Sequence, residues 1–280
     1  MDILTIILLI IGFVLLIKGA DMFVDGASDL ATKLKIPAMI IGLTIVAFGT
    51  SAPEAAVSVT SALNHSNAIA ISNIVGSNIF NLLVVVGITA IIYKIDIDDV
   101  SLKQDFPVLL ISSILLLLFI VTSSQISRIE GIIFLIGIIA YVALLIVKSK
   151  KESKNMPVGT THLSNIMIVL FIIVGLAFIL IGSDLVVDAS KDIALSLGMS
   201  ETLVGLTIVS IGTSLPELMT SVTAAYNKNT GIAIGNAVGS CIFNILFIVG
   251  LTTTITPIAT TNVMVIDTII MILALIITYI

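Results

Sequence analysis

Residues 42–54 read GLTIVAFGTSAPE, and residues 205–217 read GLTIVSIGTSLPE. Ten of the thirteen positions are identical, at an offset of 163. A second pair keeps that offset: IAISNIVGSNIFN at 69–81 and IAIGNAVGSCIFN at 232–244, again with ten identities in thirteen. The stretches GADMFVDGASDLA at 19–31 and GSDLVVDASKDIA at 182–194 extend the repetition upstream. The chain is therefore one pattern written twice. Each copy sets a glutamate, hydroxyls and an asparagine among apolar residues, with Gly and Pro breaks. Polar clusters of this kind are costly in lipid and mark ion or substrate sites.

The solvent around those motifs follows from composition. Of 280 residues, 58% are hydrophobic and only 10% charged, with a mean hydropathy of +1.27. Soluble domains hold about 45–50% apolar and about 25% charged residues. The expected fold class is an all-α polytopic membrane protein, with the lipid bilayer as its main partner. The net charge of −5 says little about other partners, because the acids divide between loops and buried motifs. Nothing points to nucleic acid or to an obligate protein partner. The single Cys241 excludes an internal disulfide framework and reads as a small packing residue opposite Asn78. No basic region precedes ILTIILLIIGFVLLI, so the N-terminus is not read as a cleavable signal.

A membrane span needs about 17–25 mostly apolar residues. Nine are read, over 3–31, 38–63, 68–93, 106–123, 128–147, 164–196, 201–226, 231–256 and 262–280. Basic residues set the orientation. With the N-terminus outside, the cytoplasmic side holds Lys33, Lys35, Lys94, Lys103, Lys148, Lys150, Lys151, Lys154 and Lys228, and the external side holds Arg128 and Lys191. The hydrophilic linker KSKKESKNMPVGTTH, 148–162, is then cytoplasmic and separates a first half, 1–147, from a second, 164–280, with 148–163 as the boundary. Equivalent spans of the two halves are five apart, an odd number, so the halves face opposite ways. In transporters such inverted repeats place the substrate site near the midplane, where broken helices meet.

The motif chemistry fits that geometry. Pro53 and Pro216 each precede a glutamate and each remove a backbone donor, which loosens carbonyls near Ala47 and Thr50, and near Ser210 and Thr213. Such carbonyls are tolerated at membrane depth where they line a cavity or meet a cation. Ala47, Thr50, Ser51 and Glu54 share one helix face by their spacing, and Asn73, Ser77 and Asn81 share another. Gly76 and Gly239 allow close approach or a break, whereas Gly42, Gly49, Gly205 and Gly212 are read as helix-packing positions. The donor set is all oxygen, the kind that hard cations such as calcium take in sixes to eights. His65 and His162 fall in loops, so no zinc or copper cluster is expected. Glu54 and Glu217 together neutralise one divalent ion, which several sodium ions could replace. Asp21 and Asp184 are read as bracing the long first and sixth helices, Asp25 and Asp188 as interfacial, and Asp267 is not placed.

The motifs G-T-S-A-P-E and G-S-N-I-F-N, with their second copies G-T-S-L-P-E and G-S-C-I-F-N, resemble the two alpha repeats of the calcium/cation antiporter superfamily, closest to its prokaryotic sodium/calcium exchanger branch. The resemblance covers nearly the whole chain. It implies two inverted five-helix halves and exchange of calcium for sodium by alternating access, three sodium ions for one calcium. The long first and sixth helices slide past a core of the second, third, seventh and eighth. Beyond the transported calcium and sodium it implies no cofactor and no enzymatic activity. It implies Glu54 and Glu217 as central metal ligands, with Thr50, Ser51, Thr213 and Ser214 beside them. Ser77, Asn81, Ser240 and Asn244 are the implied ligands of the third and eighth helices, and Ala47 and Ser210 the carbonyl ligands. Some relatives, potassium-dependent ones among them, carry Asp where Asn244 stands here, so a potassium requirement is not expected. The family pattern has ten helices where nine are read, with no tenth before Ile280. The small size and bare loops fit a prokaryotic plasma (inner) membrane.

Other readings stay open at this point. Calcium/proton antiport, or proton-coupled antiport of another divalent ion, is the nearest. The hydroxyl pairs at Thr50–Ser51 and Thr213–Ser214 favour sodium. An intramembrane hydrolase would need a membrane His or a GxGD-like pair, and neither is found. A passive channel would need a continuous pore, against which a single central acidic site between inverted halves argues.

Overall fold

The computed structural model describes residues 3–64, 67–95, 99–152, 160–200, 204, 207–208 and 210–279. Gly205, His65 and Lys154 lie outside the described residues, as does most of 201–209. Long apolar runs with helical spacing dominate, and the described fold is almost entirely helical. In lipid this is the expected outcome, because a helix satisfies every backbone group internally.

The helices are α1 (Ile3–Leu34), α2 (Ala38–Thr50), α3 (Ala52–Leu63), α4 (Ile69–Ile92), α5 (Asp99–Thr122), α6 (Arg128–Glu152), α7 (Asn165–Ser196), the single turn α8 (Ser210–Thr213), α9 (Leu215–Tyr226), α10 (Thr230–Ile255) and α11 (Asn262–Tyr279). Among the described residues seven helices are long and apolar enough to cross a membrane, and α2 with α3 forms one further span bent by 47°. The expected span over 201–226 is represented by α8 and α9. The fourth span, α5, starts earlier than the 106–123 expected. It takes in Asp105, which is fully buried and accepts a hydrogen bond from the Tyr141 hydroxyl at 3.1 Å. Gln125–Ile126 (β1) and Ile258–Ala259 (β2) pair antiparallel, tying the connection after α5 to the one after α10.

The two long helices, 32 residues each and so about 48 Å, exceed the bilayer core. They pack antiparallel through glycines. A Cβ on Gly12 would come within 3.0 Å of the Gly182 carbonyl, and one on Gly19 within 2.8 Å of the Gly175 carbonyl. Those four positions are two pairs at the 163-residue offset, so α1 and α7 cross about a local two-fold passing between Leu16 and Ile179, both fully buried. Small residues at the seam bring the backbones close, as lipid-embedded pairs require. The same offset relates Lys35 (φ 54°) and Gly198 (φ 88°), which take the left-handed conformation just beyond each long helix.

The chain of α7 starts on α1. Asp29, buried in α1, accepts hydrogen bonds from the backbone N–H groups of His162 and Leu163 at 2.9 and 2.7 Å, and Lys33 donates to Asn165. The inner core lies beneath this pair. α10 is the most deeply buried of the long helices and is the central one, with α2, α4, α6 and α9 around it. Outward faces carry Ile, Leu and Val, including Ile3, Ile7 and Ile10 on α1 and Ile129, Ile136 and Ile139 on α6.

Candidate cation site

Each copy of the first motif, GTSxPE, sits at a helix break. In the first half the chain runs through a π-helical turn, Gly42–Val46, and α2 ends at Ser51 (φ −80°, ψ 9°). Pro53 then sits in the first turn of α3, where its missing N–H costs nothing. In the second half α8 ends at Ser214 (φ −93°, ψ 6°), with Pro216 in the first turn of α9. The break puts Glu54 and Glu217 in the first turns of α3 and α9, at the positive ends of those helix dipoles. Further π-helical turns follow the second motif in each half, Asn81–Val85 and Asn244–Val249. Single π turns inside α-helices gather at functional sites.

Both glutamates are fully buried. Their hydroxyl partners are shared crosswise between the halves. Ser51 donates to Glu217 Oε1 at 2.9 Å, and Ser214 donates to Glu54 Oε1 at 3.1 Å. The next helices add one hydroxyl each: Ser77 to Glu54 Oε1 at 3.1 Å, and Ser240 to Glu217 Oε1 at 3.3 Å. The two carboxylates thus have equivalent surroundings, with positions 51, 54 and 77 mirrored by 214, 217 and 240. On each carboxylate Oε1 is bonded and Oε2 has no hydrogen-bond partner.

Other oxygens around them are also unpartnered. Both side-chain atoms of buried Asn81, the Oδ1 of buried Asn244 and the hydroxyl of buried Thr220 lack hydrogen-bond partners. Asn244 is held by its nitrogen, which donates to Asn78 Oδ1 at 2.9 Å and approaches Ser77 Oγ at 3.3 Å, leaving its oxygen as the open atom. Buried polar atoms without partners cost about 1–3 kcal/mol each, and more when charged. A group of them around two carboxylates is a site built for a positive charge, and oxygen-only donors suit a hard cation. Among the described residues no three His, Cys, Asp or Glu side chains converge, so the charge comes from two glutamates and the remainder from neutral oxygens.

The remaining expected residues fall as follows. Thr50 is buried and donates to Asn236 Oδ1 at 3.0 Å, while Thr213 is half-buried and donates to its own helix at Ser210 O, 3.3 Å away. The two expected carbonyls differ. Ala47 O still accepts the Ser51 N–H at 3.1 Å, keeping one lone pair in the helix ladder. The Ser214 N–H instead bonds Ile211 O at 3.1 Å, and Ser210 O accepts the Thr213 hydroxyl, so the turn before the break is tighter in the second half than in the first.

Sequence reasoning did not single out Asn236, Ser58 or Ser221 and left Asn73 out of the ligand set. Asn236 donates to Glu217 O at 3.1 Å and to Ser221 Oγ at 2.9 Å; Asn73 donates to Ser58 Oγ at 3.1 Å and approaches Glu54 O at 3.5 Å. The signal was present, because 58/221 and 73/236 are identical pairs at the 163-residue offset. Asp21 pairs loosely with Lys18 of its own helix at 3.9 Å, and Asp25 and Asp188 are exposed.

A multi-pass helical membrane protein with two broken helices and a buried, oxygen-lined acidic centre belongs to the ion-coupled membrane transporters. Comparison with known proteins narrows this. The family described as sodium/calcium exchanger protein matches residues 4–147 and 167–280, and the chain belongs to that family. It is 41% identical, over 90% of this chain and 81% of the other, to CaxA of Alkalimonas amylolytica, which carries an antiporter name. It is 31% identical to the sodium/calcium exchanger MaX1 of Methanosarcina acetivorans, over 88% of this chain and 81% of that protein. Among solved structures, the sodium-calcium exchanger NCX_Mj superposes with a TM-score of 0.86 at 32% identity, covering all of this chain and 90% of that one. The protein is thus a membrane cation/calcium antiporter and not an enzyme.

Proposed function

We propose that this chain exchanges calcium for sodium across a prokaryotic plasma membrane, through one midplane site shared by two inverted halves, 1–147 and 164–280. The observation that carries this reading is the pair of fully buried glutamates whose Oε1 atoms are held by hydroxyls from both halves while their Oε2 atoms have no partner. Glu54 and Glu217 supply the two negative charges that match one divalent ion. Ser51, Ser214, Ser77, Ser240, Asn81, Asn244, Thr50, Thr213 and the carbonyls of Ala47 and Ser210 supply neutral oxygens around them.

Competition follows from charge. Calcium neutralises both carboxylates, so sodium ions and calcium exclude one another. An empty site leaves two bare carboxylates facing the apolar seam along which α1 and α7 move, at a cost of several kcal/mol. That cost disfavours movement of an unloaded site and couples the two fluxes.

Sodium rather than proton coupling is favoured by the flanking hydroxyl pairs Thr50–Ser51 and Thr213–Ser214, which are ligands for further monovalent cations and which protonation of the glutamates would not need. The test is calcium-45 uptake into proteoliposomes loaded with sodium, against matched vesicles loaded with potassium or with an acid interior. Uptake that needs internal sodium supports the reading. Uptake driven by the pH gradient alone overturns the sodium assignment and leaves calcium/proton exchange in its place. Uptake indifferent to counter-ion overturns antiport at this site.

A further inference from the structure

The two halves repeat in sequence but do not repeat every hydrogen bond, and one difference lies beside the candidate site. Asn236 is fully buried on α10, and each polar atom of its amide is committed. Its nitrogen donates to Glu217 O and Ser221 Oγ, and Ser221 in turn donates to Ala233 O at 3.1 Å, so Asn236 Oδ1 must accept. The donor is Thr50 of the opposite half, whose hydroxyl lies 3.0 Å from Asn236 Oδ1, nearer than the 3.2 and 3.4 Å to carbonyls of its own helix. The equivalent groups 163 residues away are Thr213 and Asn73, and they are not joined. Thr213 donates to Ser210 O, while Asn73, half-buried on α4, donates to Ser58 and accepts no hydrogen bond at Oδ1.

The backbone around the two pairs differs in the same sense. A Cβ on Gly239 would lie 2.7 Å from Leu43 Cα and 2.9 Å from Ala47 Cβ, so α10 is closed against α2 beside the Thr50–Asn236 bond. Gly76, its repeat equivalent beside Asn73, has nothing within 4 Å among the described residues. Ala47 is fully buried, and its equivalent Ser210 is exposed.

We propose that Thr50–Asn236 and Thr213–Asn73 are reciprocal latches, one made and one open in each access state, with Asn236 and Asn73 as positioning residues of the exchange. In the present state the seam holding Thr50–Asn236 is shut and the one beside Thr213 is open. Moving to the other state breaks the first bond and forms the second, so the two hydrogen bonds trade places. Each asparagine also holds the backbone carbonyl of the glutamate in its own half, so the latch reports directly on the helix break that carries the charge. This inference rests on the alternating-access reading above.

The test uses two reporter cysteines, Ala47→Cys and Ser210→Cys, made separately in the full-length reconstituted protein and labelled with a membrane-impermeant maleimide in calcium- and sodium-free buffer. Labelling needs no transport, so reporters inside the ion site are acceptable. Deleting the closed latch with Asn236→Leu should raise the Ala47→Cys to Ser210→Cys labelling ratio by about three- to tenfold, the scale on which one net neutral hydrogen bond shifts a two-state ratio. Asn73→Leu should shift the ratio the opposite way, and the double variant should return it towards the parent. A structural defect would move both single variants in the same direction. That result, or no movement in either, overturns the proposal. Should Asn236→Leu not yield monodisperse protein, Asn236→Ser and Asn73→Leu give the same opposite-sign comparison. Failure of the underlying transport reading is seen separately, as calcium flux surviving in Glu54→Gln.

Discussion

The two copies of the motif have nearly the same sequence and sit in different surroundings. In the first half, α2 lies against α10 with no space to spare. A Cβ on Gly42 would meet Ile232 O at 2.9 Å, and one on Gly235 would meet Met39 O at 2.6 Å. In the second half, α8 leans on α7 instead: Ser183 donates to Gly212 O at 3.0 Å, and Val187 crowds the position a Gly212 Cβ would take. The first-half counterpart of Ser183 is Ala20, which has no hydroxyl to give. Yet at the centre the comparison reverses. The serine donors to Glu54 and Glu217 are equivalent, position for position. The candidate site is thus close to symmetric in its serines, and the larger differences lie in the seams on either side.

The strongest challenge to that symmetry is charge removal. Glu54→Gln and Glu217→Gln should each cut sodium-driven calcium-45 uptake by at least about 100-fold, since each leaves the partner carboxylate and the cation short of one buried charge. Equal losses support one shared centre. Near-normal flux in either variant would remove that residue from it.

The seams should respond unequally to a single methyl group. Gly239→Ala places its Cβ 2.7 Å from backbone and should lower stability by about 1–3 kcal/mol, the usual cost of overpacking. Gly76→Ala meets open space and should be neutral or stabilising by up to about 1 kcal/mol through helix propensity. Thermal unfolding of the purified protein in detergent separates the two, and equal shifts would deny that one seam is closed and the other open.

The amides flanking the site offer a finer comparison. Asn244 is oriented by Asn78, where the repeat breaks to Cys241, and its counterpart Asn81 is bonded by neither side-chain atom. Asn78→Leu should therefore weaken calcium binding, read as a two- to tenfold rise in the half-saturating concentration, about one hydrogen bond's worth of orientation. Cys241→Ala, at the matching position of the other half, should leave that concentration nearly unchanged.

The smallest effect concerns the hold of α7 on α8. Ser183→Ala removes the bond to Gly212 O and should cost about 1 kcal/mol, seen as faster amide hydrogen exchange in residues 210–214 with little change elsewhere. Unaltered exchange there would mean that the open seam is held by packing alone.

Much of this was legible in the chain. Composition and hydropathy gave the membrane class, and two identical Pro-Glu pairs in apolar runs gave the broken helices and the central carboxylates. The identical pairs Ser58/Ser221 and Asn73/Asn236 could have been read as well, had repeat identity been weighed for every polar position rather than for the motif cores. Other features lay beyond a linear reading. Asp105 reads as a loop acid ahead of a span and is buried because Tyr141, on another helix, meets it. Asp29 carries no distinguishing signal in the linear pattern, yet it fixes the start of α7 to α1.

The sequence by itself determined the solvent, the helices, the repeat and the identity of the groups that carry charge, because these depend on side-chain chemistry and on spacing along one chain. Tertiary structure alone decided that Ser51 serves Glu217 while Ser214 serves Glu54, that one of two like seams is shut, and that Thr50 reaches Asn236 while Thr213 turns back to its own helix. Two near-identical segments cannot encode that difference locally. It arises where the halves pack against each other, since each segment meets different neighbours from the rest of the chain.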